Sequence, residues 1–113
     1  MPELPEVETT IRYLDSKVNG KKILSINTSK KKLRKNLDIK NLSIIEGSTI
    51  KSVYRKAKYI VLTLKPLRYL VIHLGMSGRL KFFVKKNYKE EKHDHVIMEF
   101  SQFNVVFNDP RRF

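Results

Sequence analysis

Cysteine is absent from this 113-residue chain. Disulfides and thiol chemistry are excluded, and the commonest structural zinc ligands are missing with them. Three histidines alone make a poor structural metal site. Long apolar runs are lacking too, since no stretch approaches the ~20 residues that cross a bilayer as a helix. The opening residues, Met1 to Glu8, have neither the basic nor the apolar region of a secretory signal. No internal repeat or linker composition interrupts the chain. An intracellular protein without a membrane partner is expected, with bacterial cytoplasm as the default.

Acidic residues are scarce. Eleven Asp and Glu stand against 24 Lys and Arg, a net charge of +13. So much charge of one sign on one small domain repels itself at low salt, and a polyanion is the natural compensation. Nucleic acid comes first, anionic membrane or ribosomal RNA next; a lysine-rich composition with no partner is the bland alternative. The 41% hydrophobic content suffices for one folded core.

Pro5 fits the first helical position, and Glu6 and Glu8 then favour the positive end of the helix dipole. Val7, Ile11, Leu14 and Val18 make one apolar stripe, and Gly20 suits a left-handed cap. The spacing predicts an amphipathic helix over about residues 5–18. Beyond it the period shortens. Lys21 to Leu33 alternates briefly and runs into basic residues, and Ser43 to Gly47 reads as a turn. Thr49 to Leu64 reads as strand, with Ile60, Leu62 and Leu64 on one face. Lys65-Pro66 reads as a tight turn. Leu70 to Leu74, Arg79 to Val84, Val96 to Phe100 and Val105 to Phe107 follow as strands, with a polar loop from Lys85 to Lys92. The expected fold is mainly β, a two-sheet antiparallel sandwich of about eight strands flanked by the N-terminal helix. The end, Asp109 to Phe113, has no polar tail, and a chain cut from a longer one is expected.

Five places could carry chemistry. Removal of Met1 before the small Pro2 would expose a secondary amine. An α-amine titrates near pH 8 and is partly unprotonated at neutral pH, so it is a usable nucleophile. Attack on a sugar C1′ would give an iminium with no proton to lose, an electron sink for elimination, with Glu3 placed to act as general acid and Glu6 about one turn further. On the residues alone the plainer reading is preferred, in which Pro2 and Pro5 merely start a helix whose positive end the glutamates decorate. Arg55, Lys56 and Lys58 at a strand start could meet phosphates or protect a strand edge. The glycines of His73 to Gly78 permit close backbone approach, and Met76 at their tip could enter a base stack; the alternative is a β-turn with Met76 inward and His73 a half-buried strand residue. Alternation puts His93 and His95 on one face with Asp94 opposite, a weak metal pair and a better phosphate contact through His93. Arg111, Arg112 and Phe113 combine cations with an aromatic wedge candidate.

Together these residues resemble the N-terminal domain of bacterial formamidopyrimidine-DNA glycosylases. The likeness rests on Met1 to Thr9, Ala57 to Ile60, His73 to Gly78, Lys92 to Val96 and Asp109 to Phe113, in family order along the whole chain. The resemblance implies a bifunctional enzyme that excises 8-oxoguanine and formamidopyrimidines from damaged double-stranded DNA through a Schiff base, then cleaves the abasic strand by β,δ-elimination. It implies the nucleophile at Pro2, a catalytic Glu3, a supporting Glu6, and phosphate contacts from Lys58 and His73. It further implies a DNA contact from His93 and a void-filling set of Met76, Arg111 and Phe113. Residues 1–113 would be the N-terminal catalytic domain of a monomeric, cytoplasmic, nucleoid-associated enzyme, weak or inactive alone. The family's helix–two-turn–helix and zinc-finger domain, with its one zinc ion, is absent from this chain, which itself needs no cofactor. A non-catalytic DNA-binding module of the same descent, or the endonuclease VIII type acting on oxidised pyrimidines, is the alternative. Leu4 and the Met76, Arg111, Phe113 set resemble the oxidised-purine type.

Overall fold

A computed structural model describes residues 4–28, 39–75, 77–85 and 88–110, with backbone alone at 4, 5 and 39–41. Helix α1 spans Leu4–Val18, with Glu6 in its first turn and Lys17 in its last, the charge order that suits the dipole. The anticipated stripe of Val7, Ile11, Leu14 and Val18 is buried throughout. Gly20 ends the helix at φ 78°. The Lys21 amide donates to the Val18 carbonyl at 2.8 Å, while the Gly20 amide donates to the Ile50 carbonyl at 2.8 Å. The cap therefore also fastens the helix to the first strand of the second sheet.

Strands β1 (Ser25–Thr28), β6 (Asp94–Glu99), β7 (Phe103–Asn108) and β5 (Arg79–Val84) make a four-stranded sheet in the order β1-β6-β7-β5. Strands β2 (Thr49–Lys56), β3 (Tyr59–Lys65) and β4 (Arg68–Ile72) make a three-stranded sheet in chain order. Every pairing is antiparallel. The sandwich thus has seven strands among the described residues, close to the eight expected, and Lys22 adds only an isolated bridge to Thr49. Ile60, Leu62 and Leu64 point into the core as their alternation predicted, joined by Ile50, by Met98 and Val105 of the other sheet and by Phe100 just past β6. Burial of side chains of this size stabilises by about 1.5–3 kcal/mol each. The stripe of α1 closes the same core.

The sequence reading of two stretches needs correction. Thr49 to Leu64 is two strands, because Lys56 pairs with Tyr59 across a turn at Ala57-Lys58. Ala57 takes φ 53° there, a conformation that such hairpin turns usually reserve for glycine, asparagine or aspartate, so no turn signal marked it. Ser43 to Gly47 opens as helix: α2 spans Ile39–Ile44, and only then does the chain turn, through Gly47 at φ 86°. The turn at Lys65-Pro66 is where expected and contains a cis peptide bond.

Candidate nucleic-acid interface

The first cluster of site residues gathers where α1 begins. Glu6 is exposed in the first helical turn. Two residues on, Glu8 Oε1 lies 2.7 Å from Arg55 Nε, and Arg55 Nη1 also donates to the Ala57 carbonyl at 2.9 Å. Arg55 thereby braces the β2–β3 hairpin against the start of the helix. Lys58, on the hairpin turn, is exposed, which is the presentation a phosphate contact needs. Next to it, the Tyr59 ring packs against the His73 ring at 5.1 Å between centroids. His73 lies just past the end of β4 and is exposed, so its expectation as a half-buried strand residue fails: the strand stops at Ile72. The helix start, Lys58 and His73 therefore share one corner of the sandwich.

The chain passes directly from His73 into the second cluster. Gly75 takes φ 63°, and the Gly78 amide donates to the Leu74 carbonyl at 2.7 Å. A Cβ on Gly78 would fall 2.4 Å from that same oxygen. Gly78 is thus required by the loop itself, and Gly75 takes its left-handed conformation without the cost a side chain would add. Pro2, Glu3, Met76, Arg111 and Phe113 lie outside the described residues, but Gly75 and Ser77 beside Met76 and Pro110 before Arg111 are described. A cleft of about 640 Å³ has Ser77, Arg79, Lys92, His93, Asn108 and Pro110 among its walls, which brings the glycine loop, His93 and the exit of β7 to one opening.

His93 owes its place to a buried carboxylate. Asp94 is fully enclosed. It accepts from Asn108 Nδ2 at 2.8 Å, from Tyr88 Oη at 3.0 Å and from the Glu91 amide at 2.9 Å, and Lys81 Nζ lies 2.9 Å away. Burial pushes its pKa up, but the hydrogen bonds from Asn108, Glu91, Lys81 and Tyr88 outweigh that and hold the carboxyl below the ordinary aspartate value. Burial and the adjacent Asp94 charge push the Tyr88 phenol the other way, well up from its usual range. The connection ahead of β6 is thereby tied to β5 and β7. Asp94 pairs with Asn108 but Val96 pairs with Phe107, a bulge that interrupts the alternation assumed for 93–95. His93 sits ahead of the strand on the cleft, and His95 Nε2 lies 2.6 Å from the Asp109 carbonyl. Among the described residues no three His, Asp or Glu side chains converge on a metal position, and no helix is long and apolar enough to cross a membrane.

Three participants escaped the sequence reading. Tyr59, Ser77 and Asp109 stood inside the recognised segments, yet nothing local distinguishes them. Their significance lies in contacts to His73 and to each other across the fold.

The sequence profile described as the formamidopyrimidine-DNA glycosylase N-terminal domain matches residues 1–113. The chain is 45% identical over 115 residues to the formamidopyrimidine-DNA glycosylase of Rickettsia canadensis, an alignment taking in 100% of this chain and 41% of that protein. It is 42% identical over 118 residues to the enzyme of the same name from Wolbachia pipientis subsp. Culex pipiens, with 100% of this chain and 42% of the relative aligned. In structure it is similar to the Lactococcus lactis Fpg protein complexed with Fapy-dG-containing DNA, with a TM-score of 0.87 at 32% identity over 98% of this chain and 42% of that one. Likeness to MutM complexed with carbocyclic 8-oxo-G-containing DNA gives a TM-score of 0.88 at 33% identity, over 99% and 42% of the two chains. The chain thus spans about two fifths of the length of the proteins it matches. With a profile that matches from the first residue to the last and a sandwich that superposes on these folds, the chain belongs to the formamidopyrimidine-DNA glycosylase N-terminal domain family.

Proposed function

We propose that this chain is the N-terminal part of a bifunctional DNA glycosylase and abasic-site lyase acting on oxidised purines in duplex DNA. The observation that carries this reading is the shared corner where the start of α1, Lys58 and His73 meet, beside the cleft that His93 lines. Relatives crystallised with Fapy-dG and 8-oxo-G DNA support the substrate class.

In this reading Met1 is removed and the Pro2 amine attacks C1′ of the damaged nucleotide. The bond from C1′ to the damaged base breaks and the base leaves; Glu3 then protonates O4′ as the C1′–O4′ bond opens, and the resulting iminium draws electrons for the elimination steps. Glu6 supports the site from the helix start. C1′ is inaccessible within a stacked duplex, so the nucleotide must be turned out. Lys58 and His73 hold the backbone phosphates, and His93 adds a contact across the cleft. Met76 fills the vacated space, Arg111 offers donors to the orphaned base, and Phe113 wedges the stack. Any zinc would take its ligands from beyond residue 113, because this chain has no cysteine. The 113 residues alone hold half of a DNA cleft and are expected to bind weakly without excising.

Borohydride reduction tests the assignment. The full-length protein should be trapped covalently on abasic-site DNA, and Pro2→Gly, or a retained Met1, should abolish most of the product. Undiminished trapping with a blocked N-terminus would sink the role of Pro2. Excision of 8-oxoguanine by the 113-residue chain would overturn the division of labour.

A further inference from the structure

Asp109 has no role in the chemistry above, yet it is fully buried and bonded to three separate segments. Its Oδ1 accepts a hydrogen bond from the Ser77 hydroxyl at 2.7 Å. Its amide donates to the His93 carbonyl at 3.0 Å. Its own carbonyl oxygen lies 2.6 Å from His95 Nε2, which donates in the tautomer that carries its proton there. Residue 108, just before it, is anchored to Asp94 through the Asn108 amide at 2.8 Å. The exit of β7 is therefore fastened to the glycine loop, to the residue before β6 and to β6 itself.

The positions of these bonds along the chain matter. Ser77 follows Met76, and Asp109 precedes Pro110 and Arg111. We propose that Asp109 is a positioning residue that, through Ser77, locks the glycine loop and the exit of β7 at Asp109-Pro110 into one register, with His93 fixed by the same hub. This inference rests on the functional reading above, in which Met76 and Arg111 enter the same hole in a base stack. Two side chains carried by different segments can fill one hole together only if their backbones keep a fixed separation, and misplacement by about 1 Å at such a site can cost on the order of 10²-fold in rate. The ends of the loop are already joined by the hydrogen bond from the Gly78 amide to the Leu74 carbonyl. What it needs is a tie to the rest of the site, and the Ser77–Asp109 bond provides one. A space-filling role would be served better by an apolar side chain, because a buried carboxyl is costly unless its hydrogen bonds are satisfied.

The test uses the full-length protein with Ser77→Ala, Ser77→Thr, Asp109→Ala and the Ser77→Ala/Asp109→Ala double variant. Two single-turnover reactions are followed: excision of 8-oxoguanine from duplex DNA, and borohydride trapping on abasic-site DNA, where no base has to be turned out. Ser77→Ala is expected to slow excision roughly tenfold and trapping by less than about threefold. Ser77→Thr, which keeps the hydroxyl, should restore excision, and the double variant should be no slower than Asp109→Ala. Parallel slowing of both reactions, unchanged excision in Ser77→Ala, or additive effects in the double variant would overturn the proposal. If Asp109→Ala does not fold, the contrast between Ser77→Ala and Ser77→Thr decides alone. Absence of trapped product from the unaltered protein would instead overturn the functional reading, and this inference with it.

Discussion

Leu14 is completely enclosed in the stripe that α1 lays against the core. Leu14→Ala removes buried methyl groups and leaves a cavity, so it should cost about 2–5 kcal/mol, read as a lower urea midpoint at unchanged slope. Lys58 is the opposite case. It is exposed on a two-residue turn, and Lys58→Ala should leave the melting temperature in place while lowering the salt dependence of DNA binding. In a plot of log affinity against log salt, the slope should fall by about one unit; an unchanged slope would remove its phosphate contact. At this scale the sequence was informative where a residue acts through its own chemistry. Lys58 and His93 were singled out as candidate phosphate contacts from charge and ring nitrogens, whereas His73 was named as one only through the family resemblance. Ser77 and Asp109 were not, because the bond between them joins positions 32 residues apart and no local pattern encodes it.

Among the elements, α1 was legible to within a residue, since a single apolar stripe at helical spacing has one way to bury itself. The β2–β3 hairpin was not, because its turn uses Ala57 with positive φ in place of a glycine or asparagine. The bulge between Asp94 and Val96 was hidden as well: it answers to the partners waiting for Asp94, not to the alternation of the strand. Those partners make a prediction about acid. In the unfolded chain Asp94 takes up its proton near pH 3.9, while the folded protein holds it ionised to lower pH. Stability from this group is therefore present above that pH and is lost as pH falls through the lower folded value. Urea midpoints measured from pH 5 to pH 2 should drop steeply for the unaltered chain, whereas Asp94→Asn should start lower and drop less. The Arg55–Glu8 pair needs no such weight. Its side chains are 34% and 45% exposed, so it is worth no more than about 1 kcal/mol, and Arg55→Ala should perturb the placement of the hairpin more than its stability.

For the molecule as a whole, composition alone pointed to a polyanion, and the function proposed above gives DNA that part. A net +13 opposes compaction at low ionic strength. Raising salt from about 10 mM to 150 mM shortens the Debye length from about 30 Å to 8 Å, so the thermal midpoint of the isolated chain should rise over that interval. A midpoint that falls instead would mean that attractive pairs, not repulsion, dominate its electrostatics. Which strands neighbour one another was beyond the sequence reading, since alternation identifies a buried face but not the partner across it.

That partnership sets a timetable for the newly made chain. Ser25 meets Glu99 and Thr28 meets Val96, pairs separated by about seventy residues. At 5–20 residues per second of synthesis, β1 waits on the order of 4–14 s on the ribosome before its partner exists. The β2–β3–β4 meander, whose strands are consecutive, can close during that interval. The larger sheet must then assemble around a finished smaller one, and a nascent chain stalled before residue 94 would leave β1 as an open edge, a template for mispairing with other chains.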